Sequence, residues 1–286
     1  MPPIQKTYTA PDGTDLPMGI WRPDKPRAAL LYLHGIQSHS GWYEASSRRL
    51  ASSGVAVYQI ERRGSGTDGA HERGHVDRAE TWLQDVAAAA ELVRRETGLS
   101  RLHLMGVSWG GKLALVCAAH RPDLYRSLIL AAPGIFSRAD VGLATKIRVA
   151  QSLLFGRGLR RFSIPLADPH LFTENPERVR YIAEDPLSLR EVTARFMFES
   201  RRLDRMVARA ARTFRLPTFL ALAERDRITD NRATRNLVEA MPASRRQIVE
   251  YPGAHHTLEF EPDPEPYFAD LAAWIEQTES AARDGA

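Results

Sequence analysis

The sequence predicts an α/β protein in which a mostly parallel central sheet is flanked by helices. Two observations support this prediction. Short apolar segments alternate with helical segments along the first half of the chain, and each apolar segment is continuous instead of alternating between apolar and polar residues. Strands that are buried on both faces of a parallel sheet have such continuous apolar sequences. Their alternation with helices indicates right-handed crossovers, which place helices on both faces of the sheet.

The elements before the first interruption have clear boundaries. Asp12-Gly13 favours a hairpin turn between two extended segments near the N-terminus. The predicted buried strands that follow are 28–33, 55–60, 102–107 and 127–132. The predicted helices between them are 41–53, 79–97 and 109–120. Glycine follows the first two of these helices and proline closely follows the third, as expected where helices end.

An inserted segment then interrupts the alternation. Residues 135–212 contain helical patterns but no convincing strand, and we predict that they form a helical cap. Residues 1–134 and 213–286 would form the core, in which strands resume near 217–223 and 248–251 before a last helix. Within the cap, an apolar helical face runs from Leu143 to Leu154. Packing of that face on the protein is the favoured interpretation, and contact with a membrane surface is the alternative.

The composition excludes several classes of protein. Hydrophobic residues make up 43% of the 286 residues and charged residues 26%, which excludes intrinsic disorder. The single cysteine, Cys117, can form neither an internal disulfide nor a thiolate metal cluster. The N-terminus lacks the regions of a signal peptide, and no apolar run approaches the ~20 residues that span a bilayer. We therefore expect a cytoplasmic protein.

A Gly-x-Ser-x-Gly sequence lies at the end of the predicted strand 102–107. Ser108 is its central residue, and Gly106 and Gly110 flank it. A nucleophile on a sharp strand-to-helix turn has a strained backbone, and the residues two before and two after it approach closely, which favours glycine. Because the sequence follows a predicted strand and precedes a predicted helix, Ser108 is predicted to be a catalytic nucleophile.

A serine nucleophile needs a histidine base and an acid that orients the histidine. Asp226 follows the strand near 217–223, and the pair His255-His256 follows the next strand, so all three residue types lie at the carboxyl ends of strands. Glu224, Asp226 and Asp230 are the candidate acids. Asp226 is favoured, because it lies close to the strand end and Asp230 is better explained as a helix N-cap. Spacing alone does not decide between His255 and His256.

Two backbone N–H groups are expected to bind the negative charge that develops on the substrate oxygen. The first belongs to Trp109, the residue after the nucleophile, at a helix N-terminus that favours an anion. The second is expected from the loop that follows an earlier strand, His34-Gly35-Ile36-Gln37, where Gly35 allows the turn. The N–H of Ile36 is the predicted donor.

These residues resemble the α/β-hydrolase superfamily, and more closely its monoacylglycerol lipase and lysophospholipase branch, over about residues 28–276. Residues 34–41 resemble that branch's H-G-x-x-x-H-S-G segment, 63–66 its R-G-x-G turn, and 253–258 its G-A-x-H-x-L segment. The last match implies that His256 is the base. One departure is Thr67, where serine often follows the R-G-x-G turn.

The resemblance implies a serine hydrolase that cleaves a small-molecule carboxylic ester through an acyl-enzyme, with no metal or cofactor. It also implies that the inserted cap forms an acyl-binding tunnel and can touch membranes. In having a tryptophan, Trp109, directly after the nucleophile, the sequence also resembles the proline iminopeptidases of the superfamily. Their typical H-G-G-P-G loop is absent, since residues 34–38 read His-Gly-Ile-Gln-Ser. A peptidase and a ligand-binding member without turnover remain alternatives.

The formal net charge of +4 is concentrated in the insertion. Between residues 135 and 212 there are 15 basic and nine acidic residues, a balance of +6 that leaves −2 for the remainder. A basic cap could contact anionic lipid or steer anionic amphiphiles, with Arg157, Arg160 and Arg161 as test positions. A solvated arginine-rich face is the favoured alternative. No motif of a nucleic-acid-binding fold is present, so no nucleic-acid partner is expected.

Overall fold

The computed structural model describes residues 2–284. Its strands are β1 (Ile4–Thr9), β2 (Asp15–Trp21), β3 (Ala28–Leu33), β4 (Val55–Ile60), β5 (Leu102–Val107), β6 (Tyr125–Ala131), β7 (Arg161–Ser163), β8 (Glu191–Thr193), β9 (Thr218–Ala223) and β10 (Arg246–Tyr251). Its α-helices are α1 (Glu44–Ser52), α2 (Ala79–Thr97), α3 (Trp109–His120), α4 (Leu143–Phe155), α5 (Pro176–Glu184), α6 (Ala194–Ala210), α7 (Asn231–Ala240) and α8 (Glu265–Asp284).

Eight strands form the central sheet in the order β1-β2-β4-β3-β5-β6-β9-β10. β2 pairs antiparallel with β1 and with β4, and every other neighbouring pair is parallel. Every residue of β3, β4, β5 and β9 is buried, which explains why their sequences are apolar almost throughout. The predicted α/β fold with a mostly parallel sheet is therefore confirmed.

The local sequence features that predicted turns and helix ends have the expected geometry. The hairpin between β1 and β2 turns at Gly13, whose φ is +85°. Gly98 ends α2 in the left-handed conformation with φ of +72°. The side chain of Asp230 accepts a hydrogen bond from the N–H of Ala233 and caps α7, as predicted. The predicted last helix is present as α8, which runs from Glu265 to Asp284.

The segment between β6 and β9 contains α4, α5, α6 and a separate sheet in which β7 and β8 pair antiparallel. The prediction that this segment contains no strand is wrong. Each of these strands has three residues, which is too short to establish an alternating pattern in the sequence. Helix α6 contacts α2, α3 and α4, so the segment lies over the helix that follows Ser108.

Helix α4 exposes the apolar face that runs along its sequence. Leu143 is 74% exposed and Leu154 is 76% exposed, and Ile147 is also exposed. The expectation that this face packs on the protein is therefore wrong. The other side of the helix, with Val149 and Leu153, lines a cavity instead. No helix within residues 2–284 is both long enough and apolar enough to cross a bilayer.

Candidate active site

Ser108 lies on the sharp turn between β5 and α3, with φ of +51° and ψ of −124°. A non-glycine residue in this region is strained, and strain persists only where the surroundings fix the backbone. A Cβ atom at Gly106 would lie 2.3 Å from the Gly110 carbonyl oxygen, and one at Gly110 would lie 2.5 Å from the His34 carbonyl oxygen. The two glycines therefore let strand, loop and helix meet around the serine.

The structure brings Ser108, His256 and Asp226 together from the ends of β5, β10 and β9. His256 Nε2 lies 2.8 Å from Ser108 Oγ, and His256 Nδ1 lies 2.8 Å from Asp226 Oδ2. The carboxylate accepts the Nδ1 proton, which leaves Nε2 to accept the hydroxyl proton of Ser108. All three side chains are buried. This geometry suits a serine made nucleophilic by a neutral imidazole.

Four hydrogen bonds hold the Asp226 carboxylate. One comes from His256, and the Thr229 hydroxyl donates to Oδ2 at 2.6 Å. The backbone N–H groups of Ile228 and Thr229 donate to Oδ1 at 2.8 and 2.9 Å. Burial alone would raise the pKa of Asp226, but the electrostatic interaction with His256 and these hydrogen bonds outweigh it and lower the pKa. This role of Thr229 was not predicted from the sequence, although a hydroxyl residue lies only three residues after Asp226 there.

The other candidate acids and bases make contacts elsewhere. The backbone N–H of His255 donates to Glu261 at 3.0 Å, and its imidazole lies 3.3 Å from both Glu261 and Glu174. The Glu224 carboxylate accepts the N–H of Gly253. The imidazole in contact with the serine is therefore that of His256.

The loop after β3 lies directly against the nucleophile. A Cβ atom at Gly35 would be 3.2 Å from the Cβ of Ser108. Ile36, Ser108 and Trp109 line the same cavity. Within residues 2–284, no acceptor takes up the backbone N–H of Ile36 or Trp109. That these two groups bind a developing oxyanion stays a prediction.

Arg62 and His34 fix the peptide unit that carries the Ile36 N–H. The Gly35 carbonyl oxygen accepts hydrogen bonds from Arg62 Nη1 at 2.9 Å and from His34 Nδ1 at 2.8 Å, while Arg62 Nη2 donates to the Ile36 carbonyl oxygen. Because the Gly35 carbonyl and the Ile36 N–H share one planar peptide unit, holding the oxygen also directs the N–H. The guanidinium lies 4.8 Å from the centre of the Trp109 ring.

Replacing Arg62 with methionine is expected to lower kcat ~10- to 100-fold with little change in KM. The Ile36 N–H would lose part of its orientation, and the interaction it serves exists only in the transition state. Lysine at this position should restore only part of the loss, because it cannot donate in the same fork. Steady-state kinetics with a short p-nitrophenyl ester test this, with exposed Arg95→Met as the control. A higher KM at unchanged kcat would contradict it.

A buried carboxyl, Glu259, lies three residues after His256 and joins this loop to α1. It accepts hydrogen bonds from the backbone N–H of Ser46 at 2.9 Å and from the Ser46 hydroxyl at 2.5 Å. Burial raises the pKa of Glu259 to about 7, against an ordinary value of 4.5. The folded protein therefore binds this proton more tightly than the unfolded chain, and stability is lost as the pH rises from about 4.5 towards 7.

The Glu259→Gln variant is expected to be more stable than the parent protein at pH 8 and nearly equal to it at pH 4.5. One pKa unit corresponds to ~1.4 kcal/mol, so ionisation of the buried Glu259 carboxyl lowers the free energy of unfolding by up to ~3 kcal/mol at pH 8. The neutral amide avoids this cost and keeps an acceptor for the Ser46 N–H. Urea unfolding at the two pH values measures the effect. The same difference in unfolding free energy at both pH values would contradict the explanation.

His39 also connects the site to the inserted segment. Its imidazole is buried and donates from Nε2 to the Asp185 carboxylate at 3.0 Å. The indole of Trp42 donates to the same carboxylate oxygen at 2.7 Å. Asp185 lies between α5 and β8, so these bonds join the loop after β3 to the insertion. The contact depends on residues far apart in the chain, which explains why the sequence did not reveal it.

A cavity of about 400 Å³ opens in front of Ser108. Its walls come from α3, from the loop after β6, and from the inserted helices α4 and α6. Most of the wall is apolar, with contributions from Val149, Leu153, Ile164, Leu166 and Met197. A space of this size and polarity suits an apolar chain whose reactive end reaches the serine.

The strained serine on a strand-to-helix turn, with an imidazole and a carboxylate from later parallel strands, defines a hydrolase of the α/β-hydrolase fold. A family model described as serine aminopeptidase, S33 matches residues 24–263, and the chain belongs to this family. It is 26% identical to the monoglyceride lipase of Homo sapiens, covering 95% of this chain and 90% of that one. It is 22% identical to the monoacylglycerol lipase of Mycolicibacterium smegmatis, covering 95% and 96%.

Among solved structures, the monoacylglycerol lipase of Paleococcus ferrophilus superposes with a TM-score of 0.82 at 23% identity, covering 93% of this chain and all of that one. The predicted membership of the α/β-hydrolase superfamily, in its monoacylglycerol lipase and lysophospholipase branch, is therefore confirmed. The individual roles of the site residues remain predictions, which the geometry described above supports.

Proposed function

We propose that the protein hydrolyses carboxylic esters with an apolar acyl chain, using Ser108 as nucleophile, His256 as base and Asp226 as the acid that orients it. The observation that supports this most directly is the hydrogen-bonded series Ser108–His256–Asp226 beside a largely apolar cavity. Similarity to monoacylglycerol lipases along nearly the whole chain supports a lipid ester as the substrate class.

The proposed reaction has two halves. Ser108 Oγ attacks the ester carbonyl while its proton passes to His256 Nε2, and the N–H groups of Ile36 and Trp109 stabilise the negative oxygen. His256 then gives this proton to the leaving alcohol, and an acyl-enzyme remains. A water molecule attacks the acyl-enzyme, its proton passes through His256 to Ser108 Oγ, and the carboxylic acid leaves. Asp226 stays ionised throughout and stabilises the imidazolium.

A panel of p-nitrophenyl esters of increasing chain length, with a monoacylglycerol and a lysophospholipid beside it, tests the proposal. We expect kcat/KM to rise from the two-carbon ester to esters of eight or more carbons, because each added methylene buries further apolar surface in the cavity. A maximum at two to four carbons would indicate a general carboxylesterase instead. Absence of hydrolysis across the whole panel would contradict the proposed function.

Peptide hydrolysis is the second candidate function, since the family description names an aminopeptidase. The same nucleophile and base can cleave an amide if the site binds a free amino terminus. Prolyl and alanyl p-nitroanilides compared with the corresponding p-nitrophenyl esters distinguish the two activities. We expect cleavage of the esters alone, and faster cleavage of the anilides would favour the peptidase.

We further propose that α4 rests on the surface of anionic membranes. The exposed apolar side chains on and after this helix are Leu143, Ile147, Leu154, Phe155 and Leu159. The exposed basic side chains near them are Arg148, Arg157 and Arg160. An exposed apolar face bordered by arginine is the pattern of helices that lie in the membrane interface. Arg161, by contrast, is paired with Glu72 at 3.1 Å.

Co-sedimentation with vesicles tests the membrane proposal. We expect binding to vesicles of phosphatidylglycerol and phosphatidylcholine to exceed binding to phosphatidylcholine alone. The double variant Arg157→Glu/Arg160→Glu should remove this difference, and Ile147→Asp/Leu154→Asp should weaken binding to both. Arg95→Glu on α2 is the matched control. Binding that neither double variant changes would overturn the proposal.

A further inference from the structure

We propose that the cavity in front of Ser108 contains a polar subsite, formed by Lys112 and Ser200, that binds a hydroxyl or carbonyl oxygen on the acyl chain of the substrate. This inference rests on the proposed ester hydrolysis and narrows its substrate class to esters of oxygenated acids. Both residues line the same cavity as Ser108 and the apolar side chains of α4 and α6.

Lys112 is an unusual residue for the wall of an apolar cavity. It lies on α3 one helical turn after Ser108, and only 6% of the residue is exposed. Burial lowers the pKa of its ammonium, while the neighbouring Asp204 carboxylate acts in the opposite direction. A buried lysine is rarely retained without partners, because an unpaired ammonium in an apolar environment is costly. The hydrogen bonds of Lys112 therefore show which of its N–H groups still lack an acceptor.

The hydrogen bonds of the subsite leave two donors unused. The Lys112 ammonium has three N–H groups, and it donates to Asp204 Oδ1 at 2.6 Å and to Ser200 Oγ at 3.3 Å. Ser200 Oγ also accepts the Trp109 indole N–H at 2.9 Å. With two nitrogen donors pointing at its oxygen, the Ser200 hydroxyl must direct its own proton elsewhere. Within residues 2–284, no acceptor takes up that proton or the third N–H of Lys112.

Neighbouring charges fix this arrangement and set its polarity. The carboxylate of Asp204 neutralises Lys112 and also lies 3.5 Å from Arg201, which in turn pairs with Asp140 at 3.1 Å. Because the ammonium is already balanced by a carboxylate, the subsite has little need of a further negative charge. Two hydrogen-bond donors with a compensated charge suit a neutral oxygen acceptor, such as a hydroxyl or a ketone.

The position of the subsite assigns it to the acyl part of the substrate. Most of the cavity lining is apolar, and its further polar side chains are those of Ser137, Asp140, Lys146, Ser163, Arg201 and Asp204. A chain that fills the cavity would therefore be largely hydrocarbon, with an oxygen placed at Lys112 and Ser200. Since Lys112 is four residues along α3 from the nucleophile, the oxygen would lie ~6 Å further along the helix axis than the scissile carbonyl. An oxygen near the middle of a medium-length chain meets this requirement.

Matched pairs of p-nitrophenyl esters test the subsite. The ω-hydroxy esters of four, six, eight and ten carbons are each compared with the alkyl ester of the same length. We expect kcat/KM of one intermediate hydroxy ester to exceed that of its alkyl partner about three- to tenfold, which corresponds to one net hydrogen bond. Hydroxy esters that react more slowly at every length would overturn the inference, while hydrolysis of the alkyl esters would leave the proposed function intact.

Two variants separate recognition from structural support. In Ser200→Ala and Lys112→Met, the ratio of kcat/KM for the preferred hydroxy ester to that for its alkyl partner should fall below one, because the buried hydroxyl would lose a partner. A purely structural role for the pair would lower both rates equally and leave the ratio unchanged, which would contradict the proposal. Ser200→Ala removes one atom, so the test holds if Lys112→Met does not fold. Lys6→Met, an exposed lysine paired with Glu96, is the control.

Discussion

Replacing Ser108 with alanine is expected to reduce kcat for p-nitrophenyl esters by about 10⁵- to 10⁶-fold, because the hydroxyl proposed to form the acyl-enzyme is removed. The effect should be this large because Ser108 Oγ is the hydroxyl in contact with the proposed base, His256 Nε2, and the substitution removes it. The substitution removes one oxygen atom, and Gly106 and Gly110 continue to allow the turn. Alanine has the same backbone strain as serine at φ of +51°, so the substitution should not change the fold.

A fluorophosphonate probe provides the second readout for this variant. The parent protein should be labelled at Ser108, and Ser108→Ala should not be labelled at all. Ser137→Ala is a suitable control, since Ser137 lines the same cavity and its hydroxyl donates to a backbone carbonyl, that of Ala139. Substantial turnover by Ser108→Ala would contradict the assignment. An unlabelled and inactive parent protein would instead favour a ligand-binding member of the fold.

The parts of the molecule that were predictable are those set by local sequence. β3, β4 and β5 are buried on both faces, and this leaves a continuous apolar sequence. The turn at Ser108 was predictable because close packing of backbone against backbone requires glycine on either side. The same reasoning failed for β7 and β8, whose three-residue strands come from distant parts of the insertion. It also failed for α4, whose apolar face is exposed instead of packed.

The supporting residues of the site were not predictable for a different reason. Arg62 donates hydrogen bonds to the carbonyl oxygens of Gly35 and Ile36, which are 27 and 26 residues earlier in the chain. Lys112 donates to Asp204, which is 92 residues later. Lys112 lies in a largely apolar helix sequence, but nothing in the sequence identifies the partner of either residue. Their positions follow from the order of the strands and from the placement of α6 over α3. Motifs therefore predicted the candidate reacting groups, whereas the residues that orient them are visible only in the tertiary structure.

The adjacent histidines provide the sharpest test of how the site works. His256→Ala is expected to lower kcat by about 10⁵-fold, because Ser108 would lose the base that takes its proton and later protonates the leaving alcohol. The buried carboxylate of Asp226 would also lose one of its hydrogen bonds, so some loss of stability should accompany the loss of activity. Steady-state rates on a p-nitrophenyl ester and thermal unfolding measure the two effects separately.

His255→Ala is the matched control, since it makes the same chemical change one residue away. The His255 imidazole lies near Glu261 and Glu174 and makes no hydrogen bond to Ser108 or Asp226 within residues 2–284. Its removal should affect the loop through Glu261 while leaving kcat close to that of the parent protein. Comparable losses of kcat in the two variants would mean that the loop as a whole matters and that His256 is not the specific base. A reversal, with His255→Ala the inactive variant, would place the base at the neighbouring residue and require the loop to adopt another conformation in solution.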